Sequence, residues 1–394
     1  MHIHLLRPLL AGLLASAAGV ALAVPAGEDG VSLGAQLGLI HDDNPLARSP
    51  EFEPQSDRLI YTAANAGWSG RYSLQQFGIA GSVKDVRYDR LSSLDYRSYS
   101  QSAFWNWALA DRLSGRLAYT VERTPVSLKY FSGTEIDLLR SLRPEASVAW
   151  ALTPDWYVDA RYQPTTNTHS LAERRYLDNE SREQRYRLGF KLTSGIGGGV
   201  QLRASELSYT KFEQRPAGSL LDSGSQDRES SLYASWNPSE RTRFNGRVGY
   251  MRRSYDHAVI YTEGRDFSGG IGAIDAAYNL SSDIGLTLNL ARQVGGEEES
   301  AFGSYAVHRI GGLGANWRIT PLVGANAGWR DERIVYQGGV ERADRERITT
   351  LGLAYKPHRL VDIGLNYQID RRTSTYQYAD FIQRQVSLFA AINY

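Results

Sequence analysis

The chain has 394 residues, no cysteine, 44 Lys and Arg against 43 Asp and Glu, and a formal net charge of +1. That balance excludes a nucleic-acid binder, which needs a basic excess. A secreted chain of this size without disulfides has to be held by backbone pairing and packing, or by a membrane. Hydrophobic residues make up 42% and aromatics 11%, yet the mean hydropathy is −0.39. A barrel accounts for that combination: half of each strand faces water, and aromatics crowd the two membrane interfaces.

Residues 1–23 read as a secretory signal, with Arg7 as the positive start, an apolar run from Leu9 to Leu22, an Ala21-Leu22-Ala23 cleavage site and Pro25 just beyond. The apolar run is too short for a helix across about 30 Å of hydrocarbon, and no later segment reaches the roughly 20 apolar residues that a spanning helix needs. Residues 24–394 are then one all-β unit, without a linker or a second domain. Its first strand is expected near 31–41. The segment 42–57, with Pro45, Pro50 and Pro54, is too irregular for a strand and reads as the first extracellular loop or a segment folding into the barrel.

From there the chain alternates with period 2. Trp156, Val158, Ala160 and Tyr162 share a face, as do Tyr186, Leu188, Phe190 and Leu192, and likewise Ile284, Leu286, Leu288 and Leu290. Short connectors such as Thr153-Pro154-Asp155 and Lys356-Pro357-His358 carry turn chemistry. Longer charged stretches lie between them, at 86–94, 124–137, 165–180, 213–227, 254–264, 293–303, 337–345 and 371–379. Short turns at one end and long loops at the other are the periplasmic and extracellular ends of a transmembrane antiparallel up-and-down β-barrel, and aromatics such as Trp105, Trp150, Trp236, Trp317 and Tyr355 flank the short-turn end. About eighteen strands are expected, with sixteen as the alternative count. The last is 382–394, where Val386, Leu388, Ala390, Ile392 and Tyr394 form one apolar face, Ser387, Ala391 and Asn393 form the other, and Phe389 is the exception. A strand of this kind at the chain's end suits the closing strand of an outer-membrane barrel in a Gram-negative bacterium.

If the apolar face meets lipid, several strands aim arginine inward: Arg116, Arg161, Arg185, Arg187, Arg203, Arg243, Arg247 and Arg318. Acids and amides such as Glu122, Asp159, Asp283, Asn289, Asp362 and Gln385 share that surface. The chain uses 39 arginines and only five lysines, and arginine makes bidentate pairs with carboxylates and stacks on rings. The inward arginines read both as structural ion pairs of the wall and as a polar track for sugars or anions. No catalytic role is assigned. His41, His169, His257, His308 and His358 belong to no recognisable motif, and HExxH, P-loop and Cys/His metal patterns are missing from the sequence. His41-Asp42-Asp43 reads as the start of a solvated loop rather than a metal site. No cofactor and no metal are expected.

The elements Leu39-Ile-His-Asp-Asp-Asn44, Asp57-Arg58, Tyr72-Ser-Leu-Gln-Gln-Phe77, Leu94-Asp-Tyr96 and Ala103-Phe-Trp-Asn-Trp107, in that order, resemble the EpsL-type outer-membrane proteins of exosortase-associated exopolysaccharide biosynthesis loci. The resemblance covers roughly residues 35–120. It departs where His41 precedes the Asp-Asp-Asn element and Pro45-Leu-Ala-Arg48 follows it. It implies a barrel in outer-membrane lipid that exports an extracellular polysaccharide and works with periplasmic export and inner-membrane polymerisation proteins. Asp42, Asp43, Asn44 and Arg48 are then candidate loop or gate residues; equally, they read as a folded loop whose Asx side chains cap a turn. The alternatives are a general porin for small solutes and a non-transporting barrel acting as an adhesin or matrix scaffold.

Overall fold

The computed structural model describes residues 29–129, 133–217, 219, 221–256, 266–295, 305–339 and 341–394. The signal segment 1–23 and His257 lie outside the described residues. Eighteen strands are present among them. In chain order they are β1 (Gly30–Asp42), β2 (Asp57–Tyr72), β3 (Gln75–Tyr88), β4 (Tyr96–Leu109), β5 (Leu113–Pro125), β6 (Leu138–Ala151), β7 (Trp156–His169), β8 (Asn179–Lys191) and β9 (Ile196–Tyr209). The second half comprises β10 (Gly224–Ser239), β11 (Thr242–Tyr255), β12 (Phe267–Asn279), β13 (Ile284–Gly295), β14 (Tyr305–Arg318), β15 (Val323–Gln337), β16 (Ala343–His358), β17 (Val361–Ser374) and β18 (Phe381–Asn393). Each pairs antiparallel with its chain neighbours, and β1 pairs with β18, so the sheet closes on itself. Closure removes every sheet edge, which a wall facing lipid requires. The expected count of eighteen is the observed one.

The alternation decides which side chain meets lipid. In β1, Val31, Leu33, Leu37 and Leu39 stand exposed on the outer wall, while Ile40 and Asp42 are buried on the inner one. Val386, Leu388, Ile392 and Tyr394 of the last strand share the outer face, with Leu388 directly opposite Leu39. Phe389 points inward for a local reason. Its ring lies over Gly364 of β17, where a Cβ would come within 2.2 Å of the ring. Outward aromatics mark the periplasmic interface, in pairs such as Phe77 and Trp105 (ring centroids 5.9 Å apart) and Trp236 and Phe244 (5.6 Å). The strands outrun the apolar belt. Residues 165–169 of β7 and 371–374 of β17 are paired strand although their polarity reads as loop.

Candidate functional site

The inner wall has two unlike halves. From β1 to β4 and from β14 to β16 much of it is small: Ser82 faces Asn65 and Ser100, and Gly314 faces Gly328, which in turn faces Thr350. From β5 to β11 it is long and charged. There, a ladder of ion pairs runs strand to strand. Arg143 holds Glu122, Arg161 donates to Glu145 at 2.8 Å, and the Arg187 Nε donates to both oxygens of Asp159 at 3.0 and 2.7 Å. Arg203 reaches Glu183 at 3.1 Å and Glu229 at 3.6 Å, and Glu229 also accepts from Arg247 at 2.5 Å. Small residues opposite long charged ones leave space in the lumen and line one side of it with fixed charge.

Within this ladder a hollow of about 400 Å³ opens in the inner wall. Arg185, Arg203 and Arg247 line it with Glu183 and Glu229, and Met251 and Ile271 supply an apolar floor. Three guanidiniums face two carboxylates. Among the described residues Arg185 is the least engaged of the three: its one ion-pair contact there is Asp159 at 3.8 Å, and its buried Nε has no hydrogen-bond partner among them. It is therefore the inner-wall group most ready to meet an anionic solute.

A second assembly narrows the lumen. The segment after β5 turns inward, and Lys129 reaches the far wall, where its Nζ lies between Glu346 of β16 (2.7 Å) and Asp370 of β17. Five strands, β18 and β1 to β4, separate β17 from β5 around the barrel, so the contact spans the lumen. Arg372 fixes the backbone as well, donating to the Lys129 carbonyl at 2.7 Å while its guanidinium packs on the Phe381 ring. Burial alone would lower the Lys129 amine; the charges of Glu346 and Asp370 outweigh it and hold it above its ordinary value. Over the extracellular end, buried Asp137 accepts from the Ser170 and Leu171 amides at 3.0 and 3.1 Å and pairs with Arg174 and His169. Burial would raise the Asp137 carboxyl; the His169 hydrogen bond, the Leu171 amide and Arg174 prevail and hold it below its usual range.

The structure places the expected inward arginines as follows. Arg161, Arg187, Arg203 and Arg247 are ladder members. Arg116 lies nearer the periplasmic end, donating to Asn106 at 2.8 Å and stacked on Phe104. Arg243 has the inward parity of Arg247 and is exposed near the periplasmic turn. Arg318 ends β14 beside the periplasmic turn, donating to Asp283 at 2.8 Å. The loop candidates form a separate cluster at the β1–β18 junction. Asp42 accepts from Gln383 and Gln385, each at 2.7 Å, and Asp43 accepts from the Arg384 amide at 2.6 Å. Asn44 and Arg48 close a small loop, the Asn44 Oδ1 accepting from the Arg48 amide at 2.9 Å. Lys129, Glu346, Asp370 and Arg372 are absent from the sequence-based candidates. Continuing the alternation of β16 and β17 past their apolar stretches would have turned Glu346, Asp370 and Arg372 inward.

No family model matches the chain, and no curated protein matches it. Solved structures do. OpdK, an outer membrane protein of Pseudomonas aeruginosa, is 10% identical with a TM-score of 0.50, over 93% of this chain and 99% of that one. OccAB4 of Acinetobacter baumannii is 10% identical with a TM-score of 0.51, over 94% and 100%. The likeness is one of fold. With the lipid-facing belt it defines the class: a closed 18-stranded β-barrel of the outer membrane.

Proposed function

We propose that the barrel is an outer-membrane channel for small polar solutes and that its charged wall favours acidic ones. The observation that carries this reading is the ion-pair ladder of β5 to β11 facing a wall of glycine, serine and alanine across the lumen. Paired charges offer a polar path that binds weakly, and weak binding lets a solute leave as well as enter. The excess guanidinium of the hollow, Arg185, gives the path its preference for anions. The fold shared with OpdK and OccAB4 is compatible with such a channel. Export of a polysaccharide rests on the resemblance of residues 35–120 alone, and a segment latched across the lumen suits small solutes better than a polymer.

The test is single-channel recording of the refolded barrel in a planar bilayer under a salt gradient. The expected result is open steps with a reversal potential on the anion side, moved toward cations by Arg185→Glu. A silent bilayer from correctly folded barrel would refute the channel and favour the scaffold reading. Block by exopolysaccharide, without passage of small acids, would return export to first place.

A further inference from the structure

On the inner wall Arg161 lies opposite Arg185 and Arg185 opposite Arg203, and each has a carboxylate within 4 Å: Glu145, Asp159 and Glu183. Outside, at the extracellular strand ends, arginine again faces arginine, with fewer carboxylates in reach. Arg292 of β13 lies directly opposite Arg309 of β14, Arg309 opposite Arg333 of β15, and Arg333 opposite Arg345 of β16. One row lower, Arg347 lies opposite Arg371 of β17. Each has the parity of an outward residue: Arg309 alternates with Leu313 and Trp317, Arg333 with Trp329, and Arg345 and Arg347 with Leu351 and Leu353, all of them exposed on the outer wall.

Like charges directly opposite on one face of a sheet, with Cβ atoms about 5 Å apart, oppose pairing. The chain supplies little to relieve this. Asp331 binds Arg345 at 2.7 Å and Arg347 at 3.0 Å. Arg292, Arg309, Arg333 and Arg371 have no ion pair among the described residues. Among the described residues the row therefore keeps an excess of positive charge. The height of the row says what that charge meets. Arg309 lies eight residues beyond Trp317 of the periplasmic girdle. At roughly 3.3 Å per residue, on a strand tilted about 40°, that is about 20 Å of height, close to the ~25 Å apolar band of such barrels. The guanidiniums therefore sit where the outer leaflet's head groups begin.

We infer that this face of β13 to β17 is a docking surface for a phosphorylated glycolipid of the outer leaflet. Four guanidiniums on adjacent strands, about 4.8 Å apart, match a head group bearing two phosphates, each accepting from a planar guanidinium fork. The inference is independent of whether the lumen conducts.

The probe is bisphosphorylated lipid A, titrated into the full barrel purified in a zwitterionic detergent, with thermal unfolding followed by heat-dependent gel migration. The expected result is a concentration-dependent rise in unfolding temperature that dephosphorylated lipid A does not give. Arg309→Gln with Arg333→Gln should weaken the apparent affinity about thirtyfold, at a typical worth of roughly fivefold per arginine near an anionic surface. Arg309→Lys with Arg333→Lys should keep most of it. Equal stabilisation by the dephosphorylated lipid, equal affinity in the folded Gln variant, or full competition by millimolar inorganic phosphate would each overturn the proposal. Should the Gln variant not fold, the comparison of the two lipids on the unaltered barrel still decides.

Discussion

Lys129→Met removes the cation that holds the segment after β5 against the far wall while keeping its length and apolar stem. In the native structure the amine lies between Glu346 and Asp370, whose exposures are only 5% and 0%. Removing one member of a buried ion pair typically costs about 3–5 kcal/mol, because the remaining charge is left uncompensated. Here two carboxylates are left facing each other. At about 1.4 kcal/mol per decade, the balance between latched and detached segment shifts by a factor on the order of 10²–10³. Single-channel recording reads it: the variant should show larger or noisier steps than the native barrel. Adding Glu346→Gln and Asp370→Asn removes the stranded charges without restoring the latch, so barrel stability should recover while the altered conductance persists. A folded Lys129→Met barrel with native conductance and noise would refute the idea that this segment narrows the lumen.

Three further outcomes are expected. Asp137 is held below its ordinary value of 3.8, so its contribution to loop packing is complete above pH 3.8 and is lost as pH falls through the depressed value. Amide exchange at Ser170 and Leu171 should therefore accelerate only below that pH, and Asp137→Asn should accelerate it at pH 7. Asp42→Ala leaves the buried Gln383 and the Gln385 amide without their acceptor, at about 1–3 kcal/mol; it should lower the urea midpoint of the barrel, with Asp42→Asn costing less. Gly38→Ala places a Cβ 2.3 Å from the Tyr61 ring, which a 2.7 Å bond from Gln36 holds in place. Overpacking of that kind costs about 1–3 kcal/mol, and slower refolding into lipid vesicles should reveal it.

The fold was legible because a lipid-facing wall writes its period into every strand. The outward set Val386, Leu388, Ile392 and Tyr394 needed only alternation, and so did the inward parity of Arg185, Arg187, Arg203 and Arg247. What alternation does not carry is who meets whom. Lys129 and Asp370 are 241 positions apart and meet only because the wall closes, and nothing local to Lys129 announces it. The outward arginine row was hidden differently. Arg309, Arg333 and Arg347 lie on strands that continue beyond the apolar belt, and Arg345 and Arg371 lie in stretches that read as charged loop. A strand's greasy segment marks where lipid is, not where pairing stops.

The residues at the first loop have a physical role that follows from the seam. The β1–β18 ladder registers nine residue pairs, Gly34 to Asp42, against thirteen between β1 and β2. It joins the two ends of the described sheet, so no connecting turn holds its register. Both of its ends are stitched. At the periplasmic end the backbones of Leu33 and Tyr394 exchange two bonds, at 2.9 and 2.8 Å. At the extracellular end Asp42 and Asp43 grip Gln383, Arg384 and Gln385, and the Asn44 side chain donates to the Ile382 carbonyl at 3.0 Å. A one-residue slip of β18 at this seam would turn Leu388 into the lumen and Ser387 toward lipid while β1 kept Leu39 outward. The Asp-Asp-Asn element thus fixes register at the one seam of the described sheet whose two strands no turn connects.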